Sequence, residues 1–177
     1  PVVSAYRLIC IIFGIIYFLI HNRMEKTAVF PGSFDPFTIG HESIVRRALP
    51  LFDRIIIAVG QNVLKDSYFP LEKKMKWIRQ VFQDEPKVEV TTYTGLTVDF
   101  CRSIKAGYLL RGLRTAADFE YERAIAQVNK ALNPGIETVF LLTMPEHSSI
   151  NSSIVRDIVR NGGDASPFVP KAINLKE

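Results

Sequence analysis

The run Ile55-Ile56-Ile57-Ala58-Val59 narrows the folds open to this chain more than any other feature. Five consecutive apolar residues leave no wet face, so they suit a parallel strand covered on both sides. Parallel neighbours need crossovers, and helical patterns do alternate with strand patterns from Lys26 onward. Thr27-Ala28-Val29-Phe30 reads as the first strand, and Ile44, Val45, Ala48, Leu49 and Phe52 recur after it at helical spacing. The strand at 54–59 is followed by a helix opening at Pro70, with Met75, Ile78, Val81 and Phe82 on its inner face. Val88-Glu89-Val90-Thr91-Thr92 alternates, as an edge strand with one wetter face should. Val98, Cys101 and Ile104 mark a third helix, and Tyr108-Leu109-Leu110 a buried strand. A long helix spans about 116–132, with Tyr121, Ile125, Val128 and Leu132 along one stripe. Asn133-Pro134-Gly135 stops it. Thr138-Val139-Phe140-Leu141-Leu142 is the fifth strand, and a helix at 153–160 ends before Gly162-Gly163. The expected fold is α/β, a single doubly wound five-stranded parallel sheet.

Such sheets bind ligands beyond the carboxyl ends of their strands, so the residues after each strand should share one crevice. After the first strand comes Pro31-Gly32-Ser33-Phe34-Asp35-Pro36-Phe37-Thr38-Ile39-Gly40-His41. Pro31 is expected to end the strand, because it cannot donate to a ladder. Gly32 lets a ligand approach the backbone. Gly40 and His41 open a helix whose free N–H groups favour an anion, at which His41 can aim an imidazole N–H. After the second strand, the loop Gly60 to Asp66 lets Lys65 reach over the crevice. After the fourth come Arg111-Gly112-Leu113-Arg114, two cations that either clamp phosphate or pair with Asp118, Glu120 or Glu122. After the fifth, His147-Ser148-Ser149-Ile150-Asn151-Ser152-Ser153 leads into a helix, either as ordinary N-caps or as a polyphosphate site.

Composition excludes several classes. Apolar residues make up 47% of the 177 and charged ones 23%, an ordinary globular profile. Cys10 and Cys101 are too few for a disulfide framework or a zinc site, which favours a reducing compartment. The net charge of +4 weakens as a nucleic-acid signal, because Arg7 and Arg23 fall in the first 23 residues, where there is no acid. The remaining bases are scattered rather than run together. There is no Walker A motif, no paired carboxylate and no Cys-His arrangement, so phosphate-directed chemistry by positioning remains.

Residues 8–20 form an uncharged, mostly apolar run, short of the roughly 17–25 residues that a spanning helix needs. No small-residue cleavage site follows it. The reading adopted is that residues 1–23 are an N-terminal extension outside the native domain, with Met24 the biological start and 24–177 the domain. A membrane tether is the alternative.

The ordered set Gly32-Ser33-Phe34-Asp35-Pro36, Thr38-Ile39-Gly40-His41, Arg111 to Arg114, Asp118-Phe119-Glu120-Tyr121-Glu122 and Ile150-Asn151-Ser152-Ser153 resembles the bacterial phosphopantetheine adenylyltransferases. These are nucleotidyltransferases in which Thr replaces the first His of a His-x-Gly-His motif. The likeness runs from about Glu25 to beyond Phe168. It implies adenylyl transfer from ATP to 4′-phosphopantetheine with Mg²⁺, giving dephospho-coenzyme A and pyrophosphate, the penultimate step of coenzyme A synthesis. It also implies a cytoplasmic homo-hexamer, with neither nucleic acid nor membrane as partner. By resemblance His41, Lys65 and Arg111 are catalytic. The ATP site comprises Ser33, Phe34, His41, Gly112, Leu113, Arg114, Glu122, His147, Ser148, Ser149, Ile150, Asn151, Ser152 and Ser153. Ser33, Lys65, Thr97 and Arg111 hold the second substrate, and no metal ligand is implied. Asn151 stands where the family often has Ser, and His147 where many members carry a larger aromatic. The rivals are a nucleotidyltransferase for nicotinamide mononucleotide or a cytidylyl donor, an inactive coenzyme-binding regulator, and a membrane-tethered interaction protein.

Overall fold

The computed structural model describes residues 25–61 and 66–176. Its strands are β1 (Thr27–Gly32), β2 (Arg54–Gly60), β3 (Val88–Tyr93), β4 (Tyr108–Leu113) and β5 (Glu137–Leu142). The helices are α1 (Ile39–Ala48), α2 (Leu71–Val81), α3 (Thr97–Ser103), α4 (Ala116–Leu132) and α5 (Ser152–Arg160). The strands form one sheet in the order β3-β2-β1-β4-β5. Every pairing in it is parallel. β3 is an edge strand, as its alternating pattern requires.

The two-residue period of the strands divides the core. Ala28, Phe30, Ile55, Ile57, Val59 and Leu110 point into a layer closed by α1, α2 and α5. Val29, Ile56, Ala58 and Leu109 point the other way, toward Cys101 of α3 and Ile136. All of Ile55 to Val59 is buried, which accounts for the unbroken apolar run. The order reverses between β1 and β4, the switch point at which a crevice must open.

β1 continues past Pro31 instead of ending there: Pro31 pairs with Ala58 and Gly32 with Val59. A central strand tolerates this proline because the β1–β4 ladder pairs only Ala28 with Tyr108 and Val29 with Leu109. Beyond Val29 the two strands part. The Pro31 carbonyl, on the same side of the strand as its missing N–H, accepts from Arg111 instead.

The stripe on α4 behaves differently from those on the other helices. No residue of α4 is buried, and Tyr121 is 69% exposed. Val128, Leu132 and Leu142 are also exposed. Residues 1–23 and Lys65 lie outside the described residues. No described helix is long and apolar enough to cross a membrane.

Candidate active site

Thr38 caps α1, and His41 occupies the third helical position. A capping box ordinarily places Glu or Gln there. Here the imidazole takes that part, with Nδ1 accepting from the Thr38 backbone N–H at 3.0 Å. The Thr38 hydroxyl is also 3.0 Å from Nδ1. Because Nδ1 accepts, the ring proton resides on Nε2 and is free to be donated. The rings of Phe34 and Phe37 stand 5.2 and 5.3 Å from the imidazole, and Phe30 lies at 6.2 Å. Desolvation there, followed by the fields of Arg114 and Arg111, lowers the His41 pKa from 6.5 to about 4. The group is a neutral, oriented N–H donor at physiological pH.

The β1–α1 loop has its carbonyls tied down. The Pro31 carbonyl accepts from Arg111 at 2.7 Å, and the Ser33 carbonyl from Lys74 at 3.0 Å. The Asp35 carbonyl accepts from Arg156, and the Pro36 carbonyl from the Ser152 hydroxyl at 2.8 Å. Acceptors that would repel an anion are thus spent on the protein's own cations and hydroxyl, while N–H donors remain. Gly32 is required for a local reason: a Cβ would lie 2.8 Å from the Phe34 ring. That ring is buried, and Phe34 adopts φ +44° to place it there.

Two cavities open on either side of this loop. One, of about 390 Å³, is lined by Phe34, Gly40, His41, Arg114 and residues 150–153 among others. The other, of about 520 Å³, is lined by Gln61, Tyr93, Thr97, Ile125 and Asn129 among others. Pro31, Gly32, Ser33, Arg111 and Glu122 line both, so they form the common wall. Two reactants seated in the two cavities would meet there.

Both arginines are ion-paired. Arg111 grips the Glu122 carboxylate through Nε at 2.8 Å and through its second guanidinium nitrogen. Arg114 holds Asp118 at 3.0 Å. Burial opposes the Asp118 charge, but hydrogen bonds from Arg114 and Thr115 outweigh it and lower the carboxyl pKa. Both arginines nevertheless line the His41 cavity. Gly112 allows close packing, since a Cβ would lie 3.0 Å from Ile44.

The other predicted residues divide. Asn151 caps α5, accepting from the Ile154 N–H at 2.9 Å, and Ser153 accepts from Arg156 at 3.0 Å. Both still line the His41 cavity with Ile150 and Ser152. The Thr97 hydroxyl meets the Tyr93 hydroxyl at 2.9 Å in the second cavity. Leu113, His147, Ser148 and Ser149 are outside both linings. Leu113 is buried, Ser148 bonds to the Pro145 carbonyl, and His147 packs 3.7 Å from where a Cβ on Gly40 would be. Among the described residues no group of His, Cys, Asp and Glu is placed to hold a metal ion. Burial raises the Cys101 thiol to about 11, so it is no nucleophile.

Sequence reasoning missed Lys74, Arg156, Tyr93 and Asn129. Lys74 had a signal: it sits at helical spacing with Leu71, Ile78 and Val81, where a cation has no business unless it has partners.

A parallel sheet with a switch-point crevice and a histidine on the first helix defines a class of nucleotidyltransferase. Residues 29–158 match the profile of the cytidylyltransferase-like family. The fold is shared with the bifunctional NMN adenylyltransferase/ADP ribose pyrophosphatase from Francisella tularensis. That match has a TM-score of 0.62 at 18% identity, over 82% of this chain and 45% of that one. Within the class, the chain belongs to the phosphopantetheine adenylyltransferase family. It is 54% identical to the phosphopantetheine adenylyltransferase of Flavobacterium psychrophilum, over 85% of this chain and 99% of that protein. It is 46% identical to that of Bacteroides thetaiotaomicron, with the same coverage.

Proposed function

We propose that the chain transfers the adenylyl group of ATP to 4′-phosphopantetheine, giving dephospho-coenzyme A and pyrophosphate in coenzyme A synthesis. The observation that carries this reading is the pair of cavities with one shared wall at Gly32, Ser33, Arg111 and Glu122. ATP takes the cavity of His41 and Arg114, and phosphopantetheine the cavity of Thr97. A phosphate oxygen of phosphopantetheine bonds to the α-phosphorus of ATP as the bond to the β-phosphate oxygen breaks. The attacking group is already an anion, so no general base is needed. The protein has to bring two anions together and steady charge at the α-phosphoryl group.

His41 donates its Nε2–H to that charge, and the hydroxyl of Ser33 lies beside it. Arg111 exchanges Glu122 or shares it to receive the phosphate of phosphopantetheine, a role that the family resemblance also gives to Lys65. The residues at 112–114, Glu122 and the 147–153 segment surround the nucleotide. ATP would enter as its Mg²⁺ complex, the ion offsetting charge on the phosphates.

Pyrophosphate release tests the reading, with ATP, Mg²⁺ and either phosphopantetheine or nicotinamide mononucleotide. Turnover with phosphopantetheine alone is expected. Turnover with the mononucleotide alone overturns the substrate, and silence from folded protein overturns the enzyme. Further parts of the proposal are that 24–177 is the catalytic unit and that it works in the cytoplasm as a homo-hexamer. The exposed apolar residues of α4 and β5 support assembly. A monomer by light scattering would refute it.

A further inference from the structure

Lys74 is 4% exposed, and a buried ammonium needs a reason. It lies on α2, far along the chain from the β1–α1 loop, yet its Nζ donates to the Ser33 carbonyl at 3.0 Å. It also donates to the Ser67 hydroxyl at 2.7 Å, in the segment that follows the Lys65 loop. Asp35 closes the same brace, accepting from the backbone N–H groups of Tyr68 and Phe69 at 2.8 and 2.9 Å. Burial lowers the Lys74 pKa, Asp35 partly restores it, and Arg156 lowers it further. One cation therefore ties the β1–α1 loop at Ser33 to the segment at Ser67 that leads into α2.

The consequence lies in the peptide that Lys74 grips. A trans peptide is planar, with its C=O and the following N–H pointing in opposite directions. With the Ser33 carbonyl held on Lys74, the Phe34 N–H must point away from α2. Phe34 lines the His41 cavity although its ring is buried. Among the described residues nothing accepts its N–H. Phe34 itself holds a left-handed φ of +44°.

We propose that Lys74 is a positioning residue for adenylyl transfer, which through the Ser33 carbonyl aims the Phe34 N–H into the His41 cavity as a second phosphoryl donor. Lys74 lines neither of the two cavities and acts through one peptide plane. The inference rests on reading the His41 cavity as the nucleotide site.

The test separates that reading from the inference. ¹⁵N spectra of the full chain are recorded with and without a non-hydrolysable ATP analogue and Mg²⁺. Shifts of both the His41 ring and the Phe34 amide are expected. A His41 shift with an unmoved Phe34 amide overturns the inference and leaves the site standing. If neither moves, the nucleotide reading fails and the inference falls with it. Kinetics of Lys74→Met and Lys74→Arg supply the second readout. For folded Lys74→Met, kcat should fall ~10–10²-fold, the scale of a displaced catalytic donor, with KM for phosphopantetheine nearly unchanged. Lys74→Arg, which keeps a charged donor, should recover most of it. Wild-type kcat in Lys74→Met, or equal losses in both variants, would overturn the role, and the spectra decide the matter if Lys74→Met does not fold.

Discussion

The two halves of the sheet are built to different standards of closure. On the β1–β2 side, Ile55, Ile57, Val45 and Ile78 are fully buried, and α1 and α2 pack their apolar stripes inward. On the β4–β5 side, no residue of α4 is fully buried, and Tyr121 and Leu142 stand 69% and 71% exposed. The first half is a finished core; the second has an apolar outer face that a single copy leaves wet. The site straddles the seam. His41, Ser33 and Lys74 come from the finished half, whereas Arg111, Arg114 and Glu122 come from the other. Anion donors fixed by the packing of the first half thus face cations from β4 and its exit, held by acids on α4 whose outer face is exposed.

The sharpest break in this comparison is at His41. His41→Ala should lose ~10²–10³ in kcat, the scale of removing one preorganised donor. Steady-state kinetics on folded protein checks this, and a near-normal kcat would refute the assigned role. Ile57→Ala, in the finished half, should cost about 2–5 kcal/mol by urea unfolding, since a fully buried side chain leaves a cavity. A cost below 1 kcal/mol would show that half to be looser than it looks.

On the other half, Tyr121→Asp should leave the folded subunit intact but shift the proposed assembly toward smaller species in light scattering. No change in mass would place the interface elsewhere. The pH response separates the halves again. His41 stays unprotonated down to about 4 in the native state, whereas the unfolded chain takes up that proton near 6.5. Its contribution to stability is therefore complete above about 6.5 and is lost as pH falls toward 4. A His41 ring titrating near 6.5 by NMR would contradict the burial argument. The smallest effect is expected for Asp118→Asn, about 0.5 kcal/mol, because the Arg114–Asp118 pair is partly solvated.

Most of the framework was legible in the residues. Unbroken apolar runs marked the covered strands, the alternation at 88–92 marked the edge, and stops at Gly and Pro marked the helix ends. Pro31 misled because a local rule about ladder donors cannot know that the neighbouring strand has already parted. The stripe on α4 was visible, but not the side on which it would find a partner. Arg111 and Arg114 were legible as candidates for a phosphate clamp or for pairing, and the structure pairs both while keeping them in the cavity wall.

Local periodicity determined the element order, the parallel sheet and the position of the crevice, because each depends on residues a few places apart. The tertiary structure alone decided what the crevice contains. Lys74 meets Ser33 across 41 positions, Arg111 meets Pro31 across 80, and Arg156 meets Asp35 across 121. No spacing rule reaches that far. Such contacts exist because the crossovers return distant segments to one edge of the sheet, where cations and loop carbonyls must satisfy one another.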